Sequence, residues 1–377
     1  MTVKDLHTDI FERGKKNNAH ISDLGVNCIL GIDLSIYLYR ILSHKICVEQ
    51  YHAGPGVPVT HALSLLKNKH DQLVSKCCTP LYVFDGAKHP MKHATNEQRK
   101  LIKAGLERRL SELEDKDEIE KLQARCVYPR EDILKLVVQW MKEEDILHFS
   151  APFEAEWQLV SLERQGLIDA IVSEDGDCLI LGAKTVVTRL NFSTGSCYIY
   201  NSNEVWQREC AGRGGYQKAS VLPEMATFLG NDYIHRLYGF SPTKVKSSIM
   251  PSYIAATDKD QYLDEIEQTC KWPKSHDPNF KKPAAGFASK FKKVTNLFRY
   301  PPIFSLELVN GYEEINLYDP SSYNVTLKPL NCFDNIDNCA PMPSAIERKW
   351  GETIGKINFI MFVIYYFNCI LLTLVFY

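Results

Sequence analysis

Three short apolar runs along the chain each end on an acidic residue: Cys28-Ile29-Leu30-Gly31-Ile32-Asp33, Leu81-Tyr82-Val83-Phe84-Asp85 and Ala170-Ile171-Val172-Ser173-Glu174-Asp175. Continuous apolar stretches of this length predict strands buried on both faces, as in a parallel sheet. Between them apolar residues recur at helical spacing, for example Ile133, Leu134, Val137, Val138 and Met141, up to a break at Ser150-Ala151-Pro152. The alternation predicts an α/β sheet. In such sheets the ligand crevice lies beyond the carboxyl ends of the strands, where these three aspartates fall.

From Lys88 to Arg125 the chain is rich in Lys, Arg and Glu, which predicts one or two solvated helices, with Ser111 and Glu114 as a capping box. Leu222 to Gly230 carries proline in its first turn and glycine after its last, the punctuation of a short helix, and Asp232 follows it. Gly239-Phe240-Ser241-Pro242 reads as a turn between two helical stretches. Lys281 to Arg299 is basic and contains Phe287, Phe291 and Phe298, and after Pro301 the chain reads as loop. The expected divisions are 1–110 and 111–235 for a central region, 236–300 for the turn and basic segment, 301–356 for a loop-like tail, and 357–377. Ile357 to Tyr377 is an uncharged apolar run, long enough to cross the roughly 30 Å hydrocarbon layer as a helix. It reads equally as a membrane anchor or as a spurious extension unrelated to the fold, and less well as a buried terminal helix, because it lacks a polar stripe.

Composition narrows the chemistry. With 44 Lys+Arg against 46 Asp+Glu in 377 residues, total charge does not advertise a polyanionic partner. Cations bound to some of the carboxylates would, however, leave basic residues over for phosphate. The twelve cysteines include no Cys-x-x-Cys spacing, which argues against zinc, and the polar start at Met1 to Leu6 is no signal peptide, so reduced thiols in an intracellular compartment are expected.

A single aspartate at a strand end is commonly a helix cap or turn residue. Here seven carboxylates fall at such places: Asp33, Asp85, Glu154, Glu156, Asp175, Asp177 and Asp232. Brought into one crevice they would repel one another unless divalent cations held them, and hard oxygen ligands select Mg²⁺ or Mn²⁺. Two such ions about 4 Å apart serve in-line hydrolysis of a phosphodiester. Residues two apart in a regular helix point about 200° away from each other, so Glu154 and Glu156 fit one site only at the helix entrance.

These stretches resemble the flap endonuclease and XPG family of structure-specific 5′ nucleases. The likeness is carried by Ile32-Asp33, Tyr82-Val83-Phe84-Asp85-Gly86, Ala151-Pro152-Phe153-Glu154-Ala155-Glu156, Ser173-Glu174-Asp175-Gly176-Asp177-Cys178-Leu179 and Leu229-Gly230-Asn231-Asp232-Tyr233, and covers residues 1 to about 265. It implies a PIN-like nuclease core, a mostly parallel sheet with helices on both faces, with a helical arch insertion and a C-terminal helix-hairpin-helix element. It implies two Mg²⁺ ions on the seven carboxylates, with Mn²⁺ as a substitute. Lys92 and Arg99 match the basic pair that reaches the scissile phosphate, and Tyr39 matches an aromatic on which a base stacks. Gly239 and Ser241 lie in the element that holds duplex.

The implied activity is cleavage of branched DNA in the nucleus, as a flap endonuclease and 5′ exonuclease in repair or replication, with RNA as an alternative substrate. A relative that binds nucleic acid as a scaffold without cutting is the competing reading. A membrane-tethered nuclease is the third, and it rests on residues 357–377 alone.

The sequence departs from the family pattern at three places. Thr2 follows Met1 where the family has glycine, Ser241 replaces the second glycine of Gly-Ile-Gly-Pro, and Trp157 stands where a small residue is usual. There is no sliding-clamp motif near the C-terminus.

Overall fold

The computed structural model describes residues 18–54, 57–86, 88–201, 221–269, 286–305 and 326–329. Thr2 and the run 357–377 lie outside the described residues. Among those described, no helix is long and apolar enough to cross a membrane.

The strands are β1 (Asn18–His20), β2 (Ile29–Asp33), β3 (Thr79–Phe84), β4 (His148–Ser150), β5 (Ala170–Val172), β6 (Thr185–Thr188) and β7 (Ser196–Asn201). They form one sheet in the order β1-β7-β6-β5-β2-β3-β4. The five strands from β6 to β4 are parallel, and β7 and β1 close one edge antiparallel. Every residue of β2 is buried, as a central strand covered on both faces requires. Its partners are Tyr82 and Val172 opposite Ile32. The chain leaves β2 for β3 and β4 on one side and reaches β5, β6 and β7 on the other, so strand order reverses at β2, the place where such sheets open a crevice.

Helix α1 (Leu34–Leu42) follows β2 directly, and α2 (Lys45–His52) and α3 (Thr60–Val74) lead into β3. Between β3 and β4 stand α4 (His93–Glu112), α5 (Lys116–Arg125) and α6 (Glu131–Glu143). The first two are largely exposed, with Thr95 and Leu122 as their buried members. The expected capping box is not formed. Ser111 lies inside α4 and its hydroxyl donates back to Arg108 O, while Asp115 caps α5 by accepting from Glu118 N at 2.9 Å. The apolar stripe of α6 ends at Glu143 rather than at Ser150, because His148–Ser150 pairs with β3 as a strand.

Helix α7 (Ala155–Arg164) is buried along most of its length and crosses the sheet against Gly31, where a Cβ would collide with Leu159 and Ile168. A short turn, α8 (Asp177–Ile180), follows β5, and α9 (Leu222–Leu229) is buried throughout. A helical segment, 242–255, contains a π-turn at Val245–Ile249, and α10 (Lys259–Thr269) and α11 (Phe287–Arg299) follow it among the described residues. Phe287, Phe291 and Phe298 of the basic segment face the core, and Arg299 pairs with Glu224 of α9. After Pro301 the expectation of loop alone is corrected: Pro302–Ser305 and Thr326–Pro329 pair as a two-stranded antiparallel sheet. A proline in each strand hides it from a reading by strand propensity.

Candidate active site

Each of the seven carboxylates is delivered by an element end. Asp33 closes β2 and caps α1, accepting from Ile36 N, and its other oxygen accepts from Ser173 Oγ at 3.3 Å. Asp85 follows β3 and accepts from Ala155 N at 2.9 Å, which ties it to the entrance of α7. The chain there is close-packed: Gly86 N donates to Phe153 O at 2.6 Å, and a Cβ on Gly86 would overlap the carbonyls of Ala151 and Pro152.

Glu154 is the N-cap of α7, in extended conformation, and Glu156 sits in the first turn. The helical-wheel conflict is therefore resolved at the helix entrance, since Glu154 precedes the helix. One carboxylate oxygen from each of Asp85, Glu154 and Glu156 lies within 4.8 Å of the others.

Asp175 and Asp177 follow β5, with Asp177 N donating to Asp175 Oδ1 at 2.9 Å, and Asp175 N donating to the same Ser173 hydroxyl that meets Asp33. Asp232 follows the Gly230 cap of α9, and its carbonyl accepts from Thr95 Oγ1 of α4 at 2.6 Å. All seven residues are in electrostatic reach of one another as a chain of neighbours. Glu156 feels Asp33, Asp175, Asp85 and Glu154, while Asp177 feels Asp175 and Asp232.

Burial, reinforced by these like charges, pushes the carboxyls of Asp33, Glu156 and Asp177 well above their ordinary range. Asp177 Oδ1 is buried without a hydrogen-bond partner. A cluster of hard oxygen donors that repel one another, with an uncompensated acceptor among them, fits divalent cations; it can hold a metal ion.

Lys92 and Arg99 reach into the same cluster. Lys92 Nζ lies 2.5 Å from Glu154 Oε2 and 3.5 Å from Asp232 Oδ2, and Arg99 donates to Asp232 Oδ2 at 2.6 Å. Burial opposes the charge on Lys92, but Glu154 and Glu156 outweigh it and hold the ammonium above its usual range. Burial would also raise the Asp232 carboxyl, yet neighbouring cations, Lys92 and Arg99 among them, hold it below the ordinary value.

Lys92 belongs to the single turn Pro90–Lys92 before α4, and Arg99 to α4 itself. Tyr39 of α1 is 51 % exposed, so it is not a core residue. It lies in the field of Asp85 and Arg99.

Trp157 fills the space behind Glu154 and Glu156. It stacks on Tyr233 with ring centroids 6.2 Å apart and meets His89 and Phe153, an aromatic cluster that occupies the volume a small residue would leave. Lys92 Nζ sits 5.1 Å over the Tyr233 ring. Gly239 has a positive φ, and Ser241 caps the 242–255 segment by accepting from Lys244 N at 3.2 Å. These two are not part of the carboxylate cluster. Ser173, Thr95 and Tyr233 were not singled out by sequence. Two of them stand inside the quoted motifs, and Thr95 is found only by its bond to Asp232.

Family models of the XPG N-terminal domain and the XPG I-region match residues 1–106 and 145–232, together just over half of the chain. Exodeoxyribonuclease 1 of Saccharomyces cerevisiae is 31% identical over 167 residues, covering 43% of this chain and 23% of its own. The exodeoxyribonuclease 1 of Schizosaccharomyces pombe is 35% identical over 170 residues, 42% of this chain and 28% of its own. Flap endonuclease 1 of Cryptosporidium parvum is 28% identical over 322 residues, 80% and 61% of the two chains. The match thus spans about a quarter of the length of the two exodeoxyribonucleases. The catalytic core of Rad2, solved in complex with DNA substrate, superposes with a TM-score of 0.50 at 19% identity, over 79% of this chain and 85% of that one, and so shares its fold. The chain belongs to the XPG family.

Proposed function

We propose that this protein is a Mg²⁺-dependent, structure-specific 5′ nuclease that hydrolyses phosphodiester bonds in branched DNA, as a flap endonuclease and as a 5′ exonuclease. The observation that carries the reading is the convergence of seven carboxylates and two cations where strand order reverses. Similarity to exodeoxyribonuclease 1 and flap endonuclease 1 supports DNA as the substrate class, and nuclear DNA as the place of action.

Asp33, Asp85, Glu154, Glu156, Asp175, Asp177 and Asp232 would hold the metal. Held there, two Mg²⁺ ions, with Mn²⁺ as a substitute, would supply an activated water and stabilisation of charge on the phosphodiester oxygens. Lys92 and Arg99 would donate to the non-bridging oxygens of the scissile phosphate, where charge accumulates in the transition state. Exposed Tyr39 offers a face for a base, worth roughly 1 to 3 kcal/mol in single-strand binding. The turn at Gly239 to Ser241 would approach the duplex backbone. Regions 1–110 and 111–235 then form the nuclease and 236–300 the duplex-side element.

The test is incubation of the purified chain with Mg²⁺ and end-labelled flap, nicked, single-stranded and four-way-junction substrates, in DNA and RNA versions. Cleavage beside the single-strand to double-strand junction of flap DNA, abolished by chelator, is the expected result. Tight binding without cleavage in Mg²⁺ or Mn²⁺ would replace this reading with the scaffold reading.

A further inference from the structure

We propose that His44, Cys47 and His61 form a zinc site that ties α2 to the start of α3. One ring nitrogen from each imidazole and the Cys47 sulfur lie within 4.8 Å of one another. Tetrahedral zinc, with bonds of about 2.0–2.3 Å, holds its ligand atoms about 3.3–3.8 Å apart, so closing the site takes side-chain shifts of about 1 Å.

Local structure favours it. His44 is the N-cap of α2 but makes no side-chain capping bond, and Cys47 stands buried in the first turn of the helix that His44 opens. His61 is the second residue of α3, its ring centroid 5.2 Å from that of His44. His61 Nε2 is shielded from solvent with no hydrogen-bond partner, a cost that coordination would remove. Gln50 already fixes the junction of the two helices: its Oε1 accepts from His61 N at 3.1 Å and its Nε2 donates to Thr60 Oγ1 at 3.4 Å. The backbone that carries His61 is thus tied to α2 by contacts that do not depend on metal.

The donor set selects the ion. One thiolate and two imidazoles suit zinc, whereas Mg²⁺ prefers the oxygen cluster. On binding, the Cys47 thiol gives its proton to solvent as its sulfur becomes a ligand, and water from the exposed His44 side completes the coordination. The absence of Cys-x-x-Cys argued against zinc, but that criterion does not see a mixed ligand set split between two helices. The site has a structural consequence, because α2 supports α5 through Lys45 to Glu120 at 3.4 Å and His52 to Gln123 O at 3.1 Å. Zinc would therefore brace the base of the helical insertion that carries Arg99.

The test uses the full chain in saturating Mg²⁺, titrated with Co²⁺ as a spectroscopic probe. The expected result is a thiolate-to-cobalt charge-transfer band with tetrahedral d–d bands, saturating at one equivalent and displaced by one equivalent of Zn²⁺. Cys47→Ser should abolish the charge-transfer band. His44→Ala, at an exposed position where folding is not at risk, should weaken cobalt binding about tenfold or more. Asp85→Asn should leave the band unchanged, which separates this site from the carboxylate cluster. No band at stoichiometric cobalt, an undiminished band in folded Cys47→Ser, or wild-type affinity in His44→Ala would each overturn the proposal. If Cys47→Ser does not fold, the His44→Ala titration decides.

Discussion

The Lys92 ammonium lies 2.5 Å from a carboxylate oxygen of Glu154. The residue assigned to phosphate is thus the counterion of a residue assigned to metal. One ammonium cannot serve both at full strength. Cations on Glu154 and Asp232 would take over its present role and free it for the substrate.

Lys92→Ala is therefore expected to destabilise the metal-free protein by about 2 kcal/mol, because it leaves partly buried carboxylates uncompensated, and to cost less in saturating Mg²⁺. Denaturant melts with and without Mg²⁺ measure this. Equal losses in both would contradict the exchange of counterions. Arg99→Ala, at a half-exposed side chain, should cost less than about 1 kcal/mol. Both variants should slow single-turnover cleavage by orders of magnitude while changing the dissociation constant little, the pattern of contacts made in the transition state.

Asp177→Asn should raise metal-free stability. Burial, with Asp175 beside it, holds this carboxyl well above its ordinary value of 3.8, so its ionisation opposes folding, and its stabilising contribution is lost as pH rises above about 4. At neutral pH the variant is expected to be more stable than the parent by about 1 kcal/mol, the gain shrinking toward pH 4. A thermal-melt series across that range reads it, and an unchanged or lower midpoint at neutral pH would argue against the repulsion.

His89 sets a pH dependence of opposite sign. Burial, helped by Lys92, lowers its imidazole from 6.5 to about 4, so the unfolded chain binds the extra proton first. Its contribution is complete above pH 6.5 and is lost as pH falls toward 4, with a slope of up to about 1.4 kcal/mol per pH unit. His89→Asn keeps an acceptor for Met91 N and should flatten the wild-type slope between those values. Parallel slopes in the two proteins would show that His89 is not the group responsible.

Gly230→Ala should be damaging although it changes no charge. Gly230 has φ +82°, and a Cβ there would meet Arg236 N at 2.6 Å. Strain of about 1–3 kcal/mol is expected, and it would displace Asp232 two residues on. Loss of cleavage with retained fold by circular dichroism is the predicted outcome. Wild-type stability would mean that the loop relaxes freely.

The parts of this fold legible in sequence were those with strong local pattern. Strands β2, β3 and β5 are continuous apolar runs, and the acidic residues that end them mark the crevice without tertiary information. β4, His148–Ser150, is three residues with two polar members, and β6 and β7 contain Thr, Ser and Tyr at positions where no periodicity separates strand from loop. The order that brings β5 beside β2 is a tertiary fact. So is the approach of α4 to Asp232, which unites Thr95 and Arg99 with a residue more than 130 positions away. The extended conformation of Glu154 resolved an apparent conflict because a cap lies outside the helical wheel. The Ser111 capping box failed because Ser111 stands in the last turn of α4, and the next helix opens at Asp115 instead.

Whether the seven carboxylates hold metal for phosphodiester hydrolysis is read from single-turnover cleavage of 5′-flap DNA by Asp177→Asn in Mg²⁺, with flap binding measured on the same preparation. Binding should stay within about threefold of wild type and cleavage should slow by about three orders of magnitude, because one metal ligand is lost while shape is kept. Near-normal Mg²⁺-dependent cleavage by this variant would contradict that role of the carboxylates.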